Sequence, residues 1–183
     1  WYVSNHFDLI LFYKDFVERS PNIGRAYMWL MDHLLDAGRI EEAAEYCKGF
    51  EKVDGTFRTP LYQGLILWHQ GNKPEAFACW EGMRRQYPEE WMVYLSLGDV
   101  MARSGEYEDA KTYYRQAIAC QNTPTFTDAF ESIAQVCELQ GNIQEAIAVL
   151  KEELEVQKEQ WNVTCGETAD IIHRWIARLE DKL

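Results

Sequence analysis

Basic residues are scarce: 18 Lys and Arg stand against 30 Asp and Glu, a formal charge of −12. A phosphate-binding surface needs clustered Lys and Arg, so no nucleic acid is expected to bind through this chain. The acidic excess repels polyanions and keeps the chain dispersed. No uninterrupted apolar run comes near the roughly 18 residues of a membrane span, so no membrane partner is expected. The five cysteines (Cys47, Cys79, Cys120, Cys137, Cys165) are an odd number with no C-x-x-C pair. That fits neither a disulfide framework nor a zinc site. Most fall on apolar helical positions, where a reduced thiol packs as a small hydrophobe, and a cytoplasmic compartment is the expectation. No Pro/Ser-rich linker interrupts the 183 residues, which predicts one domain over 1–183. The first residue is Trp1 rather than Met, so the chain is expected to be a piece of something longer.

The constellations of catalysis are missing too. There is no H-E-x-x-H, no Gly-rich phosphate loop and no G-x-S-x-G elbow. His6, His33, His69 and His173 fall on four different expected helices, with no i/i+4 pair to hold a metal. Carboxylate pairs occur at Glu41/Glu42, Glu89/Glu90 and Glu152/Glu153. They lie at expected helix starts and solvent faces, where such pairs are hydrated surface. No catalytic residue, metal ligand or cofactor site is assigned.

What is present is a period. Gly38, Gly71, Gly105 and Gly141 are 33, 34 and 36 residues apart, each between two apolar helical stretches. Five residues after each stands Ala43, Ala76, Ala110 or Ala146, and seven before stands Met31, Gly64, Gly98 or Ala134. The glycine suits the left-handed residue that closes a helix. The small residues suit the crossing of two antiparallel helices, whose axes then approach to about 8–10 Å. Asn142 with Glu145 reads as a capping box, and Thr59-Pro60 as an N-cap with proline at the first helical position.

The third copy carries Tyr94, Leu97, Gly98, Met101, Gly105, Tyr107, Ala110, Tyr114 and Ala117. This resembles the tetratricopeptide repeat position for position, and the fourth copy follows it with Phe130, Ile133, Ala134, Cys137, Gly141 and Ala146. Met31 departs from the small residue of that pattern, and Pro60 from its first aromatic. The resemblance implies an all-α superhelix of about four hairpins, at 24–56, 57–90, 91–126 and 127–162. A partial N-terminal helix over 1–21 precedes them. A capping helix over 163–183 buries Ala169, Ile172, Ile176 and Leu179 under a polar outer face.

The resemblance also implies where a ligand would lie, since the family presents the first (A) helix of each hairpin on a concave groove. Those positions hold Met28, Trp29 and Asp32, then Leu61, Tyr62, Leu65, Trp68 and His69, then Leu95, Asp99 and Arg103. The fourth copy offers Asp128, Glu131, Ser132, Gln135, Glu138 and Leu139. Family members that hold a C-terminal carboxylate use Lys and Asn in slots occupied here by Met28 and Asp32, then Leu61 and Leu65, so that clamp is absent. The middle of the groove is apolar and aromatic, centred on Trp68–His69, which marks an interaction surface. An apolar peptide or partner helix is the expected occupant. A second copy of the chain, forming a homodimer, and packing within the chain are the competing occupants. The stretch Glu159–Thr164 with Gly166–Asp170 is also similar to the end of repeat domains on bacterial helix-turn-helix regulators. That would make the chain a sensory or dimerising domain whose DNA-binding part lies elsewhere.

Overall fold

A computed structural model describes residues 8–183 and contains ten helices over them. The chain divides after Gln86 into two compact units. The first holds α1 (Leu9–Arg19), α2 (Gly24–Asp36), α3 (Ile40–Phe50), α4 (Arg58–His69) and α5 (Lys73–Gln86). The second holds α6 (Trp91–Arg103), α7 (Tyr107–Ala119), α8 (Asp128–Leu139), α9 (Ile143–Trp161) and α10 (Glu167–Glu180). No strand occurs among the described residues. The fold class is all-α, built from helical hairpins.

Each hairpin turn is made the same way. Gly38, Gly71, Gly105 and Gly141 all sit at φ between +71° and +82°. A residue with a Cβ is strained in that region, which is why the period is written in glycine. After α2, Gly38 N–H donates to Leu35 O (3.0 Å) and Arg39 N–H to Leu34 O (2.8 Å). The same pair of bonds recurs after α4, α6 and α8. These Schellman turns satisfy carbonyls the helix end would otherwise strand.

The crossings inside the hairpins follow a volume rule. A Cβ on Gly64 would lie 2.1 Å from Trp80 Nε1, and one on Gly98 would lie 2.4 Å from the Tyr114 ring. The glycine is the socket and the aromatic sixteen residues later is its filling. The first hairpin inverts the pair: Met31, 0% exposed, shares its core with Cys47 at the equivalent position. A large residue on one helix and a small one on the other preserve the packed volume. That accounts for the departure at Met31.

Two expected helix starts differ from the sequence reading. Helix α4 begins at Arg58, so Thr59 is not its cap; the Thr59 hydroxyl donates to Asp54 O and Asp54 Oδ2, both at 3.2 Å. Pro60 stays within the first turn, where a missing N–H costs little. Asn142 precedes α9 but makes no side-chain capping bond, so the capping box is not formed. By contrast Asp8 does cap α1, accepting from Leu11 N–H at 3.1 Å.

In the first unit Leu30, Met31, Leu34, Phe50 and Tyr62 pack with Val17 of α1 in one core. Full burial of each such side chain is worth about 1.5–3 kcal/mol. In the second unit α10 covers the last hairpin through Ala169, Ile172, Ile176 and Leu179. Its rim is pinned by Glu138, which accepts from Trp175 Nε1, Arg178 and Lys182. The stretch 159–180 is therefore the end of α9, a loop and this cap.

Candidate functional site

In the first unit the A helices α2 and α4 lie side by side. Trp29 is 45% exposed, with the Tyr13 ring at 5.5 Å and the Arg25 guanidinium at 5.9 Å. Met28 and Leu65 are half-buried against the core beside it. Leu61 and Tyr62 are buried, at 8% and 4% exposed. Their work is internal: Leu61 O accepts from Trp80 Nε1 at 3.2 Å, and the Tyr62 hydroxyl donates to Asp32 Oδ1 at 3.0 Å. Groove positions point toward the neighbouring hairpin as well as outward, and spacing alone does not separate the two.

Trp68 is half-buried in an aromatic cluster with Phe77 and Trp80, both at 5.7 Å, and the Lys73 ammonium lies 4.3 Å from its ring. His69 beside it is exposed. Trp68 thus leans on the hairpin core, whereas Trp29 stands further out.

The corresponding face of the second unit is acidic. Asp99 is open to solvent at its edge and accepts from the Tyr114 hydroxyl at 2.9 Å. Protein around its carboxyl raises its pKa, opposed by the Tyr114 bond and the nearby Arg103 charge. Leu95 is half-buried and Arg103 exposed. Burial raises Glu131 as well, with the Asp128 charge adding to it.

Behind α8 lies a group that the sequence reading placed on the surface. Glu153 is 0% exposed, not a hydrated member of a carboxylate pair. Burial pushes its carboxyl up to about 7, and the charges of Glu131 and Asp128 add to the shift. Gln157 Nε2 donates to Glu153 Oε1 at 3.0 Å, while Glu153 Oε2 and Gln157 Oε1 are buried without a partner. A signal was there to be read: Ala146, Leu150, Glu153 and Gln157 follow the apolar spacing of α9, so two polar residues occupy core positions.

A cleft of about 260 Å³ opens beside them, lined by Phe126, Thr127, Asp128, Gln157, Trp161, Val163 and Thr168. Phe126 and Trp161 are 50% and 40% exposed. Trp91, Phe126 and Trp161 form a ladder with ring spacings of 5.5 and 5.6 Å. Trp161 Nε1 donates to Thr125 O at 2.8 Å, which fixes the indole.

The remaining reactive side chains are quiet. All five cysteines are free, and burial pushes the Cys47 and Cys137 thiols up to about 11, so neither is a thiolate near neutrality. His33 stacks on Tyr13 at 5.7 Å, His69 and His173 are exposed, and His6 lies outside the described residues. No group of three or more metal-ligating side chains and no helix long and apolar enough to cross a membrane occurs among the described residues.

The family model described as tetratricopeptide repeat matches residues 13–52, 61–125 and 95–160. A TPR repeat-containing protein of Methanocaldococcus jannaschii is 23% identical over 124 residues, covering 68% of this chain and 22% of that protein. The chain therefore spans about a fifth of the length of the curated relative it matches. A thermophilic TPR protein of Thermus thermophilus has a TM-score of 0.58 at 18% identity, covering 93% of this chain and 88% of that one. PilF of Pseudomonas aeruginosa gives 0.56 at 16% identity, with 87% and 68% covered, and MamA gives 0.52 at 23%, with 86% of each covered. At such identities these likenesses establish the fold alone.

Proposed function

The chain belongs to the tetratricopeptide repeat family, and from that premise we propose a non-enzymatic protein–protein interaction scaffold that holds an apolar peptide or partner helix. The observation that carries this reading is the large exposed indole of Trp29 on an A helix, beside half-buried Met28 and Leu65. Exposed aromatic surface of this kind is costly in water and is where interface energy concentrates. Trp68 and His69 extend the apolar and aromatic character along α4, and Asp32 supplies an acceptor already oriented by Tyr62. In the second unit Leu95, Asp99 and Arg103 form a face of their own that is more polar. Leu61 and Tyr62, being buried, support the surface from beneath.

The test is selection of a displayed random-peptide library on the wild-type chain, followed by affinity measurement on variants. Selected peptides should be rich in Leu, Phe and Trp. Trp29→Ala should weaken them by roughly 30-fold, about 2 kcal/mol, with its melting curve nearly unchanged. Polar selected peptides, or equal binding to Trp29→Ala, would remove the reading. Light scattering on the same samples addresses self-association: a dimer that dissociates in Trp29→Ala makes a second copy the occupant.

A further inference from the structure

We propose that the cleft between the starts of α8 and α10 and the end of α9 receives the guanidinium of an arginine side chain from a partner polypeptide. Four observations converge on it. Its volume, about 260 Å³, lies under the ~300–1,000 Å³ typical of small-molecule sites, which suits one long side chain rather than a whole cofactor. Its wall carries the exposed rings of Phe126 and Trp161, and a guanidinium stacks on aromatic faces.

The third observation is an orphan. Gln157 is 4% exposed and lines the cleft, yet its Oε1 has no hydrogen-bond partner, and neither has Glu153 Oε2 behind it. Buried acceptors without donors are rare, because each carries an uncompensated desolvation cost. A ligand that brings N–H groups relieves it. The fourth is charge. Asp128 lines the cleft, and Asp128 and Glu131 lie close enough to Glu153 to raise its pKa. Two carboxylates beside a third acid that loses its proton only near neutrality favour a cation. A planar guanidinium with five donors meets rings, amide oxygen and carboxylate together, and it stays charged on burial. An ammonium satisfies the charge but stacks less well.

The inference rests on the reading of the chain as a protein-binding scaffold but uses a different surface from the α2–α4 face. It is tested on the full chain with N-acetyl-argininamide, followed through the Trp161 indole N–H signal in NMR. N-acetyl-citrullinamide, its uncharged isostere, and inorganic phosphate are the comparison probes. The arginine probe should saturate with Kd on the order of 1 mM, a value expected of a lone side chain. The citrulline probe should bind at least tenfold more weakly and phosphate should leave the signal unmoved. Asp128→Asn should weaken the arginine probe about tenfold.

The double variant Glu153→Leu/Gln157→Met should abolish binding while melting at or above the wild-type temperature, because it exchanges a buried polar pair with unpaired acceptors for apolar side chains of similar size. Trp29→Ala should bind the probe as wild type does. Loss of library peptides with the arginine probe still bound therefore sinks only the α2–α4 reading. Intact library binding without a saturable arginine response sinks only this one. Equal response to citrulline, a response to phosphate, or unchanged binding in the double variant each overturns the proposal, leaving a cleft that holds water or an anion instead.

Discussion

The two units are built from the same hairpin but differ in where they keep their polar groups. Among the described residues, the first unit buries one polar side chain, Thr59, and it is hydrogen-bonded. The second buries Glu153, Gln157 and Thr125, and two of the acceptors among them have no donor. The two most strongly shifted carboxyls fall one in each unit, with opposite sign. Glu42 in the first unit bonds Arg39 and Lys14 at the surface, and those bonds hold its carboxyl down at about 2. Glu153 in the second is lifted to about 7 by burial. The repeat fixes the helix crossings in both units and leaves the other core positions free to vary. A polar residue kept inside without a partner costs stability, so the second unit is where a ligand has most to repair.

The largest effects should come from what the units share. Trp80→Ala and Tyr114→Ala each remove the aromatic that fills a glycine socket, and each should cost ~3–5 kcal/mol in denaturant melts. Trp80 is 2% exposed and Tyr114 also 2%, so neither loss is compensated by solvent. If Tyr114→Ala cost under ~1 kcal/mol, the equivalence of the two crossings would be broken.

Acidity should separate the units next. Glu153 has a folded pKa of about 7, above its ordinary value of 4.5, so the folded chain binds its proton more tightly. Its contribution is fully present below about pH 4.5 and is lost as pH rises through about 7. The loss is on the order of 3 kcal/mol for one such group. Glu42 runs the other way: its contribution is present above about pH 4.5 and lost as pH falls toward about 2. Stability measured from pH 4 to 8 on wild type and Glu153→Gln should therefore converge in acid and diverge toward neutrality, with the variant the more stable. Parallel curves would falsify the assignment of Glu153.

The smallest effect distinguishes two tryptophans within the first unit. Trp29→Ala should cost less than ~1 kcal/mol, as exposed substitutions do. Trp68→Ala should cost ~1–3 kcal/mol, since its ring packs on Phe77 and Trp80. Equal melting temperatures for the two variants would erase the difference drawn between an outlying indole and a supporting one.

The hairpin architecture was legible because its requirements are local and leave fixed marks. A left-handed residue strongly favours glycine, so four glycines at a near-constant period already announced four turns. The buried stripe of α10 could likewise be read from Ala169, Ile172, Ile176 and Leu179. The candidate surface was legible only in part. Trp29, His69, Asp99 and Arg103 are exposed where the repeat register puts them, whereas Leu61 and Tyr62 are covered.

By itself, then, the sequence determined the element order, the turn geometry and the small-residue crossings, since each depends on a residue's own backbone freedom or on its partner a fixed step along the chain. Tertiary structure alone decided which A-helix side chains face solvent, why Met31 is tolerated opposite Cys47, and that an aromatic cleft opens beside Glu153 and Gln157. Those outcomes depend on volumes and charges brought together from segments far apart in sequence, such as Asp128 with Glu153 and Tyr62 with Asp32. Burial, unlike a turn, is a property of the neighbours rather than of the residue.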